Sequence, residues 1–146
     1  MQVDFYHLTA SPIDRVLPML AEKVLRIGAR LLVVAGEGAQ RAQIDKLLWI
    51  CAPDSFLPHA QAGDEDDAAQ PILIAAEAVA ANGAGNILIA DGLWRDEALA
   101  FDRAFHLFDE QAIVPARAAW KALAGREQVE RRYWKQDDHG KWTQAA

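Results

Sequence analysis

Three short, nearly continuous apolar runs constrain this chain more than any other feature: residues 30–35 (RLLVVA), 72–75 (ILIA) and 86–91 (NILIAD). A half-exposed strand alternates apolar and polar side chains. The 30–35 run lacks alternation and reads as a strand buried on both faces, as in a parallel sheet covered by helices on each side, and the other two read as further strands.

The segments around these runs fit that plan. Residues 2–8 predict a first strand, with Val3, Phe5 and Leu8 supplying apolar side chains. Ser11-Pro12 predicts a helix start, with Ser at the N-cap and Pro where its missing N–H costs nothing. Ile13, Val16, Leu17, Leu20, Val24 and Ile27 recur at helical spacing, Pro18 interrupts the pattern, and Gly28 reads as the C-cap. After the 30–35 run, Gly36, Glu37 and Gly38 turn the chain into a second helix with Ile44, Leu47 and Leu48 inward.

Further on, residues 97–108 read as a helix carrying Leu99, Phe101, Phe105 and Phe108. Val114-Pro115 opens another through about Ala124. Residues 129–136 and 141–143 read as two strands across the turn-rich Asp137-Asp138-His139-Gly140. Alternating strands and helices predict an α/β fold, a mostly parallel central sheet with helices on both faces. The 146 residues carry no obvious boundary or repeat, so they read as a single domain, 1–146.

Composition narrows the function classes. No apolar run approaches the roughly 20 residues that span a bilayer. Residues 1–6 carry Asp4 and no basic cluster, so they do not read as a signal peptide. Cys51 is a single cysteine, so no internal disulfide forms, and a cytoplasmic location is expected. The net charge of −6 argues against general nucleic-acid binding. From Ile113 onward, however, seven Lys/Arg stand against four acids, leaving +3 there and −9 on the preceding 112 residues. A basic end on an acidic body is either a receiver of a negative partner or an ordinary solvated face.

No catalytic set assembles. Val34-Ala35-Gly36-Glu37-Gly38 follows a strand and precedes a helix, so its amides are placed to cradle a phosphate. Arg41 occupies the position of the third glycine of a dinucleotide fingerprint, and no Gly-Lys-Ser/Thr is present. Asp91 ends a strand without a phosphate loop beside it. Ser55 lacks a glycine elbow and is parted from His59 by Pro58. His7, His59, His106 and His139 show no metal-ligand spacing. A small nucleotide-binding or nucleotide-hydrolysing enzyme using the Gly36–Gly38 loop remains the alternative function.

The stronger signal is for protein binding. Five tryptophans are many for this length, and Trp is favoured as an interface anchor. Leu48-Trp49 followed by Ser55-Phe56-Leu57-Pro58-His59 places a Trp and a Phe around a helix end. Arg117-Ala118-Ala119-Trp120-Lys121 places two cations around one indole on a helix face. That set suits a peptide ending in an aromatic residue with a free carboxylate. It also suits a core Trp whose two cations snorkel outward.

At these points the sequence resembles the chi subunit of bacterial DNA polymerase III. The Leu48-Trp49 … Ser55-Phe56-Leu57-Pro58-His59 string carries the likeness. So do Phe5-Tyr6-His7-Leu8, Arg117-x-x-Trp120-Lys121 and the closing Tyr133-Trp134-Lys135-Gln136 … Gly140-Lys141-Trp142, which looks like the tail of alphaproteobacterial members. The resemblance implies a Rossmann-like three-layer domain without a working nucleotide site, cofactor or metal. It also implies an accessory role in the clamp-loader complex without polymerase activity. Its partners would be the psi subunit and the acidic, Pro-Phe-ending tail of single-stranded DNA-binding protein (SSB). The SSB-tail residues carry over to Arg117, Trp120 and Lys121. Trp120 stands where better-known members have Tyr, and Ile113 where they have a further basic residue. The psi surface carries over to Trp49 and Phe56, a surface that also serves an XPD-like repair helicase.

Overall fold

A computed structural model describes residues 1–50, 57–64 and 66–146. Its elements are β1 (Gln2–His7), α1 (Ile13–Arg26), β2 (Leu31–Val34), α2 (Gly38–Ile50), β3 (His59–Gln61), β4 (Ile72–Ala75), β5 (Asn86–Ile89), β6 (Arg103–Phe108), α3 (Ile113–Leu123), β7 (Glu130–Gln136) and β8 (Trp142–Gln144). Among the described residues the strands form one sheet in the order β3-β4-β2-β5-β6-β1-β7-β8. Every neighbouring pair is parallel except β7 with β8.

The three apolar runs are strands β2, β4 and β5, lying side by side inside the sheet, and all four residues of β2 and of β4 are buried. Successive side chains feed opposite faces. Leu31 and Val33 join Leu17 and Leu20 of α1 and Ile44 and Leu48 of α2 in one apolar cluster. Leu32 and Val34 join Ala116, Ala119 and Leu123 of α3 in another. The fold is thus α/β with a mostly parallel sheet, α1 and α2 packing into one cluster and α3 into the other.

The start of α1 differs from expectation. Pro12, not Ser11, flanks the first turn, and no side chain caps it. Ser11 is held instead by Gln136 of β7, whose Oε1 accepts from the amides of Ala10 and Ser11 and whose Nε2 donates to the Ser11 hydroxyl. Pro18 sits buried inside an unbroken helix. Ile27 lies outside the core at 77% exposure.

The C-terminal end of α1 is as expected. Gly28 has φ 77°, its amide bonds the Leu25 carbonyl, and the Ala29 amide bonds that of Val24. This is a Schellman ending, in which the left-handed residue suits glycine. Gly28→Ala should cost about 1 kcal/mol, because a Cβ disfavours that backbone region. A urea midpoint equal to that of the wild type would contradict it.

The helix expected over 97–108 is not formed. Asp96–Ala100 is a 3₁₀ turn, and Arg103–Phe108 is strand β6. Phe101, Phe105 and Phe108 mimic helical spacing, but β6 lies between β5 and β1 and is buried on both faces. With parallel neighbours on each side, tertiary pairing overrides the local pattern.

Candidate functional site

Helix α3 follows β6 and lies along the sheet. Small residues Ala116 and Ala119 face inward and allow close approach, with Leu123 completing the buried stripe. Pro115 falls in the first turn, where a missing amide is tolerated. Val114, Arg117, Ala118 and Lys121 are exposed, and the spacing of 114, 117, 118 and 121 puts them on one outward stripe.

Trp120 lies at the border between these faces, partly buried against the core. Its ring meets Phe5 of β1 edge-on at 5.3 Å and Tyr133 of β7 edge-on at 5.5 Å. The Arg131 guanidinium stacks over the indole, 4.0 Å from the ring centroid, and Arg131 Nη1 donates to the Trp120 carbonyl at 2.7 Å. Arg131 and Tyr133 alternate along β7 and so point to the face that α3 covers.

Arg117 lies close enough to act on Tyr133. Burial pushes that phenol up, Arg117 opposes the shift and Glu110 adds to it, so Tyr133 stays neutral and can donate a hydrogen bond. Its hydroxyl is 3.5 Å from His7 Nδ1, and His7 Nε2 meets Glu110 at 2.8 Å.

The expected set Arg117, Trp120 and Lys121 therefore shares one surface, and β7 adds Arg131 and Tyr133. Ile113, one turn before Arg117, packs against the core and contributes apolar surface. Of the three arginines that follow α3, Arg126 pairs with Asp96 at 3.7 Å and Arg132 with Glu130 at 3.0 Å. Only Arg131 of the three reaches the indole. The period-two alternation of β7 was the sequence signal for it.

The second expected site is only partly described. Trp49 lies in the last turn of α2, 59% exposed, with its ring centroid 4.8 Å from that of His59. The His59 ring is buried and engages the Leu57 and Asp45 carbonyls. Phe56, like Ser55 and Cys51, lies outside the described residues.

The glycine turn is filled by the protein's own side chains. Asp91 Oδ2 accepts the Gly36 amide at 2.9 Å and also binds Arg95 at 2.8 Å. Burial, the largest single effect, pushes its carboxyl up, but the hydrogen bonds from Arg95, Gly36 and Leu93 together with the Arg95 charge outweigh it and hold the group below the usual range. Arg41 donates to the carbonyls of Ala35 and Gly36.

A cavity of about 760 Å³ opens nearby, between Leu8–Ile13 after β1 and the ends of β5 and β6. Open α/β sheets bind ligands at such an edge. Its described lining includes Asp91 and Asp109 but no Lys or Arg, so a nucleotide's phosphates meet no cation there. The Gly36–Gly38 loop does not line this cavity, and its Gly36 amide and carbonyl are already taken by Asp91 and Arg41. Among the described residues no group of three or more His, Cys, Asp and Glu is placed to hold a metal ion, and no helix is long and apolar enough to cross a membrane.

Comparison with known proteins follows the same line. The family model described as "DNA polymerase III chi subunit, HolC" matches residues 1–129. The DNA polymerase III subunit chi of Pseudomonas aeruginosa is 37% identical over 76 residues, which are 50% of this chain and 52% of that protein. The matched stretch thus spans about half the length of that relative.

Proposed function

The chain belongs to the DNA polymerase III chi subunit family, and from that premise we propose that it is a non-catalytic accessory subunit of the polymerase holoenzyme. It links the clamp loader, through psi, to the C-terminal tail of SSB in replication and repair. On this reading residues 1–146 form one Rossmann-like, three-layer chi domain working in the cytoplasm. Arg117, Trp120 and Lys121 receive the SSB tail. Trp49 and Phe56 receive psi, or an XPD-like repair helicase.

The observation that carries the reading is the surface around Trp120. An indole wall stands beside two cations, Arg117 and Lys121, that make no ion pair among the described residues. Such a surface suits an acidic peptide with an aromatic end and a free carboxylate. The placement of Trp49 supports a bridging role. Five strands separate β3, beside which α2 ends, from β7, roughly 30 Å of sheet at the usual strand spacing. Helices α2 and α3 also pack into opposite core clusters. Two partners can therefore bind without colliding, and a weak contact on each raises the effective concentration of one near the other.

Trp120→Ala is expected to weaken binding of an acidic Pro-Phe-ending peptide by about 2 kcal/mol, roughly thirtyfold. Trp49→Ala should leave that affinity unchanged. Calorimetric titration of the two variants, with melting curves as a folding control, reads both. Wild-type affinity in a folded Trp120→Ala variant would place the site elsewhere. Binding should fall in the micromolar range and weaken between about 50 and 500 mM salt, because charged groups carry part of it.

A further inference from the structure

We infer that Arg131 of β7 is the carboxylate clamp of the Trp120 surface, gripping the free C-terminus of a bound peptide while Arg117 and Lys121 meet its acidic side chains. This rests on the tail-binding reading above and assigns one chemical role within it.

A terminal aromatic residue carries its ring and its carboxylate on one Cα. A receptor for both needs an apolar wall with a planar donor fork at its edge. Trp120 and Tyr133, edge to face at 5.5 Å over Phe5, are the wall. The fork is Arg131. Its guanidinium carbon already lies over the indole, 4.0 Å from the ring centroid, and Nη1 donates to the Trp120 carbonyl at 2.7 Å. A guanidinium has five N–H donors, so one fixed bond leaves the others for an anion.

Arg131 makes no ion pair with a carboxylate among the described residues, whereas Arg126 and Arg132 are already engaged by Asp96 and Glu130. Arg117 and Lys121 are exposed on α3 and reach a ligand on long, mobile stems. A pinned arginine loses less freedom on binding and presents the bidentate geometry a carboxylate prefers. Stacking and binding are compatible, since the ring takes one face of the guanidinium and the anion takes its edge.

The test is titration of the full chain with an acidic peptide ending in Pro-Phe, as the free acid and as the C-terminal amide. The proteins are the wild type, Arg131→Gln and Arg117→Gln. Amidation should weaken binding about tenfold to the wild type and to Arg117→Gln, but less than about twofold to Arg131→Gln. If Arg131 only positioned the indole, its loss would weaken both peptides alike and leave the amidation ratio at the wild-type value. That result overturns the clamp. Should Arg131→Gln bind too weakly to yield a ratio, Arg131→Lys supplies it: a ratio below the wild-type one supports the clamp, and an unchanged ratio overturns it. Wild type that binds acid and amide equally overturns the clamp and leaves the tail reading standing. Wild type that binds neither peptide removes both.

Discussion

Asp4→Ala is expected to destabilise the fold by about 3–5 kcal/mol, the cost of breaking a buried, hydrogen-bonded ion pair. Asp4 lies on β1 with no exposed surface. Its Oδ2 accepts from Arg103 Nε at 2.9 Å and its Oδ1 from the Trp134 indole at 3.0 Å, while the Gln2 amide donates to both oxygens. The carboxylate thus fastens the central strand β1 to its neighbours β6 and β7, which are remote in sequence. Truncation leaves the Trp134 N–H without its acceptor beside the core. Arg103, 39% exposed, can recover water, which places the effect toward the lower end of the range. Asp4→Asn keeps the shape and one acceptor oxygen but loses the charge and turns the other acceptor into a donor, so it should fall between wild type and alanine. Urea unfolding followed by fluorescence measures all three. A loss below about 1 kcal/mol for alanine would mean that this network contributes little.

The second large effect is acid sensitivity through His106. Its side chain is fully buried on β6, edge-on to Phe5 and Trp94, and neither ring nitrogen has a hydrogen-bond partner among the described residues. Burial lowers its pKa from 6.5 to about 4, with Asp91 opposing the shift and Arg95 adding to it. The folded state therefore holds a neutral imidazole, while the unfolded chain takes up a proton near pH 6.5. The associated stability is fully present above pH 6.5 and is lost as pH falls toward 4. Its size is about 3 kcal/mol, at 1.36 kcal/mol per pKa unit. His106→Leu should flatten the stability profile between pH 7 and pH 4.5 relative to wild type. Carboxylates that titrate at the lower end are common to both proteins and cancel in the comparison. Parallel profiles would show that His106 is not the group responsible.

Much of the architecture was legible because burial on both faces leaves a mark on composition. The runs at 30–35, 72–75 and 86–91 have that mark, and they are adjacent interior strands of the sheet. Strand β6 lacked it. His106 and Arg103 broke the apolar run, and Phe101, Phe105 and Phe108 fell at a helical interval. Only pairing with β1 and β5 reveals the strand. Ser11 looked like a cap because its local sequence favours one, whereas Gln136, 125 residues away, claims it.

The candidate site divides in the same way. Arg117, Trp120 and Lys121 were visible because helical spacing is local. Arg131 and Tyr133 join them only through the parallel pairing of β7 with β1, which sets β7 beside Phe5 and Tyr6. Arg126, Arg131 and Arg132 all follow α3 in the sequence. Strand alternation and the ion pairs to Asp96 and Glu130 distinguish them. For Trp49 the sequence indicated a position at a helix end, and it lies in the last turn of α2 with 59% of its surface exposed.

The central claim is that the Trp120 surface reads an acidic peptide by its aromatic C-terminus. Titrating the wild-type chain with a fluorescent copy of the acidic Pro-Phe tail, and with the same peptide lacking the final Phe, tests it most directly. The account predicts saturable, salt-sensitive binding in the micromolar range that disappears without the terminal Phe. Equal binding of the two peptides, or none at high micromolar concentration, would contradict it.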